Sequence, residues 1–276
     1  KTLKSVGDYY FKDKNNAYFD MKKIDEKVDL ETFAYLDYFY AKDKNNLYFY
    51  GQKVKGVSPN NFNFLTLLSS VPDNIIKSGN DFYLVYENNS NEKIYAKKMD
   101  FPIDRDTFES FSMRVYKDKN NFYYHSDNDL KKIKSDIDVK SAEKMIELRD
   151  FIKDKNNIYH FSDGKLEKIN LKIDVNNLEY LDDGNSVFSS YLRDGKNVYF
   201  VNDEDGKIKI VKNVDKNTFK VVNGNYGVDS KNVYYLGEKL AFVGLDGLKI
   251  FNEGYLKDKK NVYEISVNDN DEVKVK

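Results

Sequence analysis

Short apolar, aromatic-rich stretches alternate along this chain with short polar runs, and the alternation repeats. The clearest polar run is Asp13-Lys14-Asn15-Asn16, followed by Ala17-Tyr18-Phe19. It returns as Asp43-Lys44-Asn45-Asn46-Leu47-Tyr48-Phe49, Asp118-Lys119-Asn120-Asn121-Phe122-Tyr123-Tyr124 and Asp154-Lys155-Asn156-Asn157-Ile158-Tyr159. Looser copies are Asp194-Gly195-Lys196-Asn197-Val198-Tyr199-Phe200, Asp229-Ser230-Lys231-Asn232-Val233-Tyr234-Tyr235 and Asp258-Lys259-Lys260-Asn261-Val262-Tyr263, and a worn copy reads Ser78-Gly79-Asn80-Asp81-Phe82-Tyr83. The eight copies start near residues 13, 43, 78, 118, 154, 194, 229 and 258, on average 35 residues apart. A period of this size marks a solenoid, propeller or array. Gaps of 29 to 40 residues fit loops of variable length on one repeated unit.

Each unit reads as three or four short antiparallel strands. In one unit, Thr32-Phe33-Ala34-Tyr35-Leu36 and Tyr38-Phe39-Tyr40-Ala41-Lys42 are strands before the polar run. Leu47-Tyr48-Phe49-Tyr50 is a strand after it, running on through a polar break to Val54. Their aromatic and β-branched content suits a pleated, packed surface. The strand after the run is apolar on both sides: Val198 and Phe200 point one way, Tyr199 and Val201 the other. A sheet wetted on one side would alternate with polar residues. These strands are therefore expected to be covered on both faces, as stacked blades would be.

The polar run itself is expected to be a turn. Its Asp carboxylate can accept hydrogen bonds from the next backbone N–H groups. Its Asn residues, or Gly195 in one copy, would supply the positive φ of a bulged hairpin loop. A second landmark precedes several copies: Asp29-Leu30-Glu31-Thr32-Phe33, Asp104-Arg105-Asp106-Thr107-Phe108, Asp174-Val175-Asn176-Asn177-Leu178 and Asp215-Lys216-Asn217-Thr218-Phe219. It reads as another Asp-led turn that opens a strand. Thr2-Leu3-Lys4-Ser5-Val6 matches that opening strand, and Glu272-Val273-Lys274-Val275-Lys276 matches the end of a third strand. Residues 1–276 are thus expected to form one repeat domain of eight units.

Composition narrows the chemistry. Forty per cent of the residues are hydrophobic, enough for a core, and 23 Tyr and 19 Phe dominate the aromatics. Lys and Arg number 45 against 46 Asp and Glu, so the net charge of -1 gives no field to attract nucleic acid. The Lys residues beside aromatics lie next to Asp and read as a solvated sheet edge. With no cysteine there is no disulfide, thiolate metal site or thiol nucleophile. No run approaches the roughly 18 apolar residues of a membrane helix. The chain opens at Lys1, which a removed signal or a truncation would explain.

No motif with its own chemistry emerges. His125 and His160, the only histidines, stand where other copies hold strand residues such as Tyr50 and Val201. Asp127-Asn128-Asp129 and Asp203-Glu204-Asp205-Gly206 have acidic spacing but lack the full loop of an EF-hand, and read as turns. A Lys inside each Asp turn argues against a ring of ion sites. Val243-Gly244-Leu245-Asp246-Gly247-Leu248 is a turn signal, not a phosphate loop. Every conspicuous Asp is repeated, which marks a structural part. The non-repeated acids Glu109, Glu143 and Glu147 have no motif around them, and Arg105, Arg114, Arg149 and Arg193 form no cluster in sequence. The repeated Tyr is expected in the core with its phenol on a partner at the rim. The alternative is a ring of Tyr that grips a sugar or peptide.

The spacing of Asp13, Asn15 and Tyr18 resembles the Asp-box hairpin found on many propeller blades, without the Ser two residues before the Asp. Phe11, Ala41, Tyr116 and Ile152 hold that place. More directly, the whole repeat resembles the bacterial DKNYY family, named for this signature. That resemblance implies a repeat protein, commonly exported, and carries no activity or catalytic residue with it.

The resulting expectation is an all-β chain of eight tandem antiparallel repeats. A propeller-like array is favoured, with an open twisting β array or solenoid as the alternative. The expected role is a non-enzymatic binding or interaction module at the cell envelope or outside the cell. Its partner would be a protein or a glycan, with no nucleic acid, no cofactor and no metal, and the chain would be monomeric. A purely structural or adaptor repeat and a glycan-acting hydrolase are the other readings.

Overall fold

The computed structural model describes residues 3–37, 39–65, 75–88, 93–112, 115–126, 129–145, 148, 150–181, 191–202, 205–252, 254–268 and 273–276. The regular structure of the described residues is all β apart from one 3-10 turn at Val175–Asn177. Eight four-stranded antiparallel sheets follow one another in tandem, and none is closed into a barrel. They fall into two compact units, Lys1–Ile133 and Lys134–Lys276, with four sheets in each.

Sheet 1 is β1 (Lys4–Gly7), β2 (Tyr10–Lys12), β3 (Ala17–Phe19) and β4 (Lys22–Lys23). Sheet 2 is β5 (Ala34–Asp37), β6 (Tyr40–Lys42), β7 (Leu47–Phe49) and β8 (Gln52–Lys53). Sheet 3 is β9 (Phe62–Phe64), β10 (Ile75–Ser78), β11 (Asp81–Asn88) and β12 (Lys93–Lys98). The strands after these repeat the pattern. The polar run always joins the second strand to the third.

Three strand details differ from the sequence expectation. First, the expected run-on from Leu47 to Val54 is broken into two strands. Tyr50 and Gly51, at φ 49° and 74°, form a two-residue turn that sets Phe49 opposite Gln52. Positive φ at both central residues is the type I′ pattern, whose twist matches that of paired strands. Second, Val273–Val275 is a separate fourth strand of sheet 8, paired with Val262–Val267. Third, neither the motif Asn residues nor Gly195 have positive φ. The motif loop has four residues between the paired Lys42 and Leu47 and is closed by Asp43 N–H donating to Asn46 O at 3.0 Å. There the carboxylate, rather than a left-handed backbone, holds the bend. Thr2, Tyr38, Arg114, Asp127, Asn128, Glu147, Arg149, Asp203, Glu204 and Glu272 lie outside the described residues.

The both-faces-apolar strands are covered as expected, because the core is layered between successive sheets. Tyr10 and Ala17 of sheet 1 pack with Ala41 and Tyr48 of sheet 2. Tyr40, Leu47 and Phe49 on the other face of sheet 2 pack with Ile76 and Val85 of sheet 3. The second unit obeys the same rule. Phe151 and Ile158 meet Leu192 and Tyr199, Tyr191 and Val198 meet Val221 and Tyr234, and Tyr226 and Val233 meet Leu256 and Tyr263. Counted from the motif Asp, residues three before, four after and six after it face the following sheet. Residues two before and five after face the preceding one. Strands of three residues cannot stand alone; each fully buried aliphatic or aromatic side chain supplies about 1.5–3 kcal/mol of the stacking. A phenol pins the layers in register. Tyr10 donates to Phe39 O at 2.8 Å and accepts from Gly51 N–H at 3.0 Å, and Tyr191 does the same with Asn225 O and Gly237 N–H.

Candidate functional site

The repeated Asp turn is the most regular polar feature. Asp43 Oδ1 accepts from the N–H groups of Asn45 and Asn46, both at 2.7 Å. Its Oδ2 accepts from Tyr48 O–H and from Asp29 N–H, both at 2.8 Å. Asp118, Asp154, Asp194, Asp229 and Asp258 are held in the same way by the Tyr five residues on and by a backbone N–H from the preceding loop. All six are buried. Burial alone would raise the Asp43 pKa. The N–H groups of Asp29, Asn45 and Asn46 and the Tyr48 hydroxyl outweigh it and hold the pKa below the carboxylate range. Burial first, and the bond to the carboxylate second, push the Tyr48 phenol up. A carboxylate whose oxygens each already accept two hydrogen bonds is poorly placed to act as a base or ligand. The repeated Tyr is likewise in the core, with its hydroxyl on the motif Asp.

Sequence reading treated the two landmarks as separate turns, but they form one lock. Asp29 Oδ1 accepts from Thr32 N–H and O–H at 3.1 and 2.8 Å, Thr32 Oγ1 accepts from Lys44 N–H at 3.0 Å, and Lys44 Nζ sits 2.7 Å from Asp29 Oδ2. The Lys44 ammonium first, and Thr32 next, lower the Asp29 carboxyl to about 2. Asp104, Thr107 and Lys119 repeat the lock. Asp138, Ser141 and Lys155 form a copy that the sequence reading missed, because Ser replaces Thr. The step from landmark Asp to motif Asp is 14 residues for Asp29, Asp104 and Asp215 but 16 for Asp138 and 20 for Asp174, so spacing gave no signal for this copy.

The other candidates are also placed by packing. The His160 ring lies tilted against Phe151 at 4.9 Å, and Gly206 of the next sheet lies so close that an added Cβ would sit 2.1 Å from the His160 Nδ1. His125 pairs with Leu130 across a hairpin and lines a 250 Å³ pocket with Lys97, Lys98 and Asp129. Asp205 caps its own turn by accepting from Lys207 N–H at 3.0 Å. Gly244 N–H donates to Asp258, so Val243–Leu248 is part of a lock. Glu109 and Glu143 pair with Lys117 and Lys153, while Arg105 and Arg193 pair with Asp81 and Glu179. Each of these four side chains is therefore held in an ion pair. Among the described residues no group of three His, Cys, Asp or Glu could hold a metal.

One surface feature was not read from the sequence. In the first unit, the hairpins and last strands of sheets 1, 2 and 3 line an open groove of about 760 Å³. Tyr50 and Tyr95 are exposed along it, and Tyr50 is backed by Phe39 at 4.4 Å in a stacked pair. Lys22, Lys23, Lys53 and Lys55 also line it. Unlike the motif lysines Lys44, Lys119 and Lys155, these four form no ion pair among the described residues. Asp20, Asp25, Glu26 and Glu87 complete the rim. Several of these residues share an interval from their motif, as Lys23 and Lys53 do, but residue type at a shared interval changes from copy to copy, as between Asp20 and Tyr50, so no sequence pattern marks the groove.

Comparison with protein families gives matches to the DKNYY family over residues 10–163, 88–222 and 206–267. The chain belongs to the DKNYY family. No curated protein and no solved structure matches it. In this DKNYY protein the signature Asp, Asn and Tyr are bonded to one another in the turn, so the signature describes a structural joint. No helix of the described residues is long and apolar enough to cross a membrane.

Proposed function

We propose that this DKNYY protein is a non-enzymatic binding module of the bacterial cell envelope or exterior, and that its groove takes an acidic glycan. The layered sheets support a propeller-like array as its scaffold. The observation that carries the reading is the groove itself, where exposed Tyr50 and Tyr95 stand among Lys22, Lys23, Lys53 and Lys55, which form no ion pair among the described residues. Tyrosine faces stack on sugar rings, and lysines suit carboxylate or sulfate substituents. A purely structural or adaptor role is the second reading, favoured by the bonding of the signature Asp, second Asn and Tyr side chains to one another, as at Asp43, Asn46 and Tyr48.

The test is a panel of neutral and acidic oligosaccharides against the wild type and Tyr95→Ala. Tyr95 also stacks on Tyr86 at 5.9 Å, so the melting temperature of the variant is measured beside its binding. The expected result is binding of acidic members, weakened about tenfold or more in the variant, as loss of one stacking platform implies. Absence of binding across the panel, or equal binding by the variant, overturns the assignment.

A further inference from the structure

The lysines of the groove belong to a longer series. The fourth strand of sheet 4 is Asp129–Lys132. In all four sheets of the first unit, a lysine of the fourth strand is paired with the motif Tyr: Lys23 with Tyr18, Lys53 with Tyr48, Lys98 with Tyr83 and Lys132 with Tyr123. Of these lysines, only Lys98 has an acid partner among the described residues, Asp81 at 2.7 Å. The four strands together hold eight lysines and one acid, Asp129, although the whole chain has a net charge of -1. Lysine on an edge strand also blocks pairing with other sheets, so charge alone specifies no ligand. The cavities beside these strands add the second observation.

Strand β12 lines two cavities in succession. Lys93 to Ala96 line the groove, and Lys97 and Lys98 line the 250 Å³ pocket that His125 and Asp129 of sheet 4 close on the other side. Buried Ile75, Leu84, Met99 and Leu130 give this pocket an apolar floor. Side chains two apart on a strand share a face. Tyr95 therefore projects on the same side of sheet 3 as Lys97, whose ammonium lies 3.5 Å from Asp129 of sheet 4. By the same alternation Lys132 shares a face with Leu130, which lines the pocket. Tyr95 thus stands where the groove passes into the pocket.

We infer that the ligand of the groove is an extended acidic polysaccharide that runs on past Tyr95 into the pocket between sheets 3 and 4, so that the fourth strands of sheets 1 to 4 form one track. This rests on the acidic-glycan reading of the groove and names the form of that glycan. Stacked sheets lie about 10 Å apart, so four of them give a track of roughly 30 Å, longer than any single sugar. A lysine at each step suits a chain with acidic groups at intervals. Asp25, Glu26 and Glu87 in the groove and Asp100 and Asp129 at the pocket can accept hydrogen bonds from sugar hydroxyls. The same acids would repel a nucleic acid, which carries a phosphate at every step.

Calorimetric titration with oligogalacturonates and chondroitin sulfate fragments, from the disaccharide to chains longer than the track, tests it. A thymidine oligonucleotide is titrated beside them. Chains that span the track are expected to bind at least about tenfold more tightly than those that fill the groove alone, as linked contacts imply. Lys97→Glu and Lys132→Glu, both at exposed positions, are expected to abolish that gain, keep the wild-type melting temperature and bind short chains as before. Tyr95→Ala is expected to weaken every length. Equal binding of short and long chains, or an undiminished gain in both Glu variants, overturns the track and leaves the groove reading standing. No binding of any acidic chain overturns both. Tighter binding of the oligonucleotide than of acidic chains of similar length assigns the track to nucleic acid and overturns the proposal.

Discussion

Sheets 2 and 3 join their second and third strands in different ways and still stack by the same rule. In sheet 2 the four-residue loop is wrapped around the buried Asp43 carboxylate, which binds the loop, Tyr48 and the preceding segment at once. In sheet 3 the worn copy is a two-residue loop, with Ser78 opposite Asp81 and Gly79 at φ 62°. Without the carboxylate, sheet 3 has longer strands: β11 pairs with β12 over six residues, against two for β7 with β8. Arg105 and Lys98 hold Asp81 from outside at 2.9 and 2.7 Å. Yet Phe82 and Leu84 occupy the same layer positions as Leu47 and Phe49. The buried side chains therefore define the layers, and the Asp turn is one way of delivering strands to them.

The largest effect that separates the two joints acts on all Asp turns together. Their carboxyl pKa values are lowered in the fold, as at Asp43, Asp118, Asp154, Asp194 and Asp229. Their contribution is complete above the unfolded pKa of about 4 and is lost as the pH falls through the folded values, because the unfolded chain takes up the protons first. The paired phenols behave in reverse. Burial, outweighing the hydrogen bond from Asn197, pushes Tyr199 up to about 12. Such stabilisation is complete below about pH 10 and declines as the pH rises, because the unfolded phenol ionises first. Melting temperature should therefore be flat near neutrality and fall at both ends. A flat profile from about pH 5 to about pH 3 would show that these carboxylates carry no net stability.

Single substitutions sharpen the contrast. Asp43→Ala leaves the buried Tyr48 hydroxyl and several N–H groups without their acceptor and should cost about 3 kcal/mol, whereas Ser78→Ala, which loses one bond to Ser58 O at 3.1 Å, should cost about 1 kcal/mol or less. Equal losses in chemical denaturation would break the distinction. The glycines give the smallest and most diagnostic pair, since an added Cβ meets nothing within 4 Å at either Gly79 or Gly195. Gly79→Ala must hold a left-handed backbone and should lose about 1 kcal/mol, while Gly195→Ala should gain up to about 1 kcal/mol by restricting the unfolded chain. A loss at Gly195 would mean that the Asp loop needs glycine's freedom after all.

The repeat, its eight copies, the all-β class and the double covering of the third strand were legible because they rest on side-chain periodicity, which is local. Positive φ was assigned to the wrong hairpin because Asn suits a left-handed turn as readily as an Asp-capped loop. The reading of three or four strands per unit stayed open because Gln52–Lys53 is too short and polar to show alternation. The groove was invisible because Tyr50, Tyr95 and the lysines lie on three separate sheets.

What the sequence by itself determined is therefore the unit: an Asp-anchored turn between short strands that bear apolar residues on both sides. Bonds from a carboxylate to the next few N–H groups, and the twofold alternation of a strand, depend only on neighbours in the chain. What only the tertiary structure decided is where that unit meets others. Asp29 closes on Asp43, Tyr10 reaches Gly51, and Val262 stays in solvent while Val233 at the same motif position is buried. Identical positions have different fates because burial belongs to a pair of sheets, and no single repeat carries its own partner.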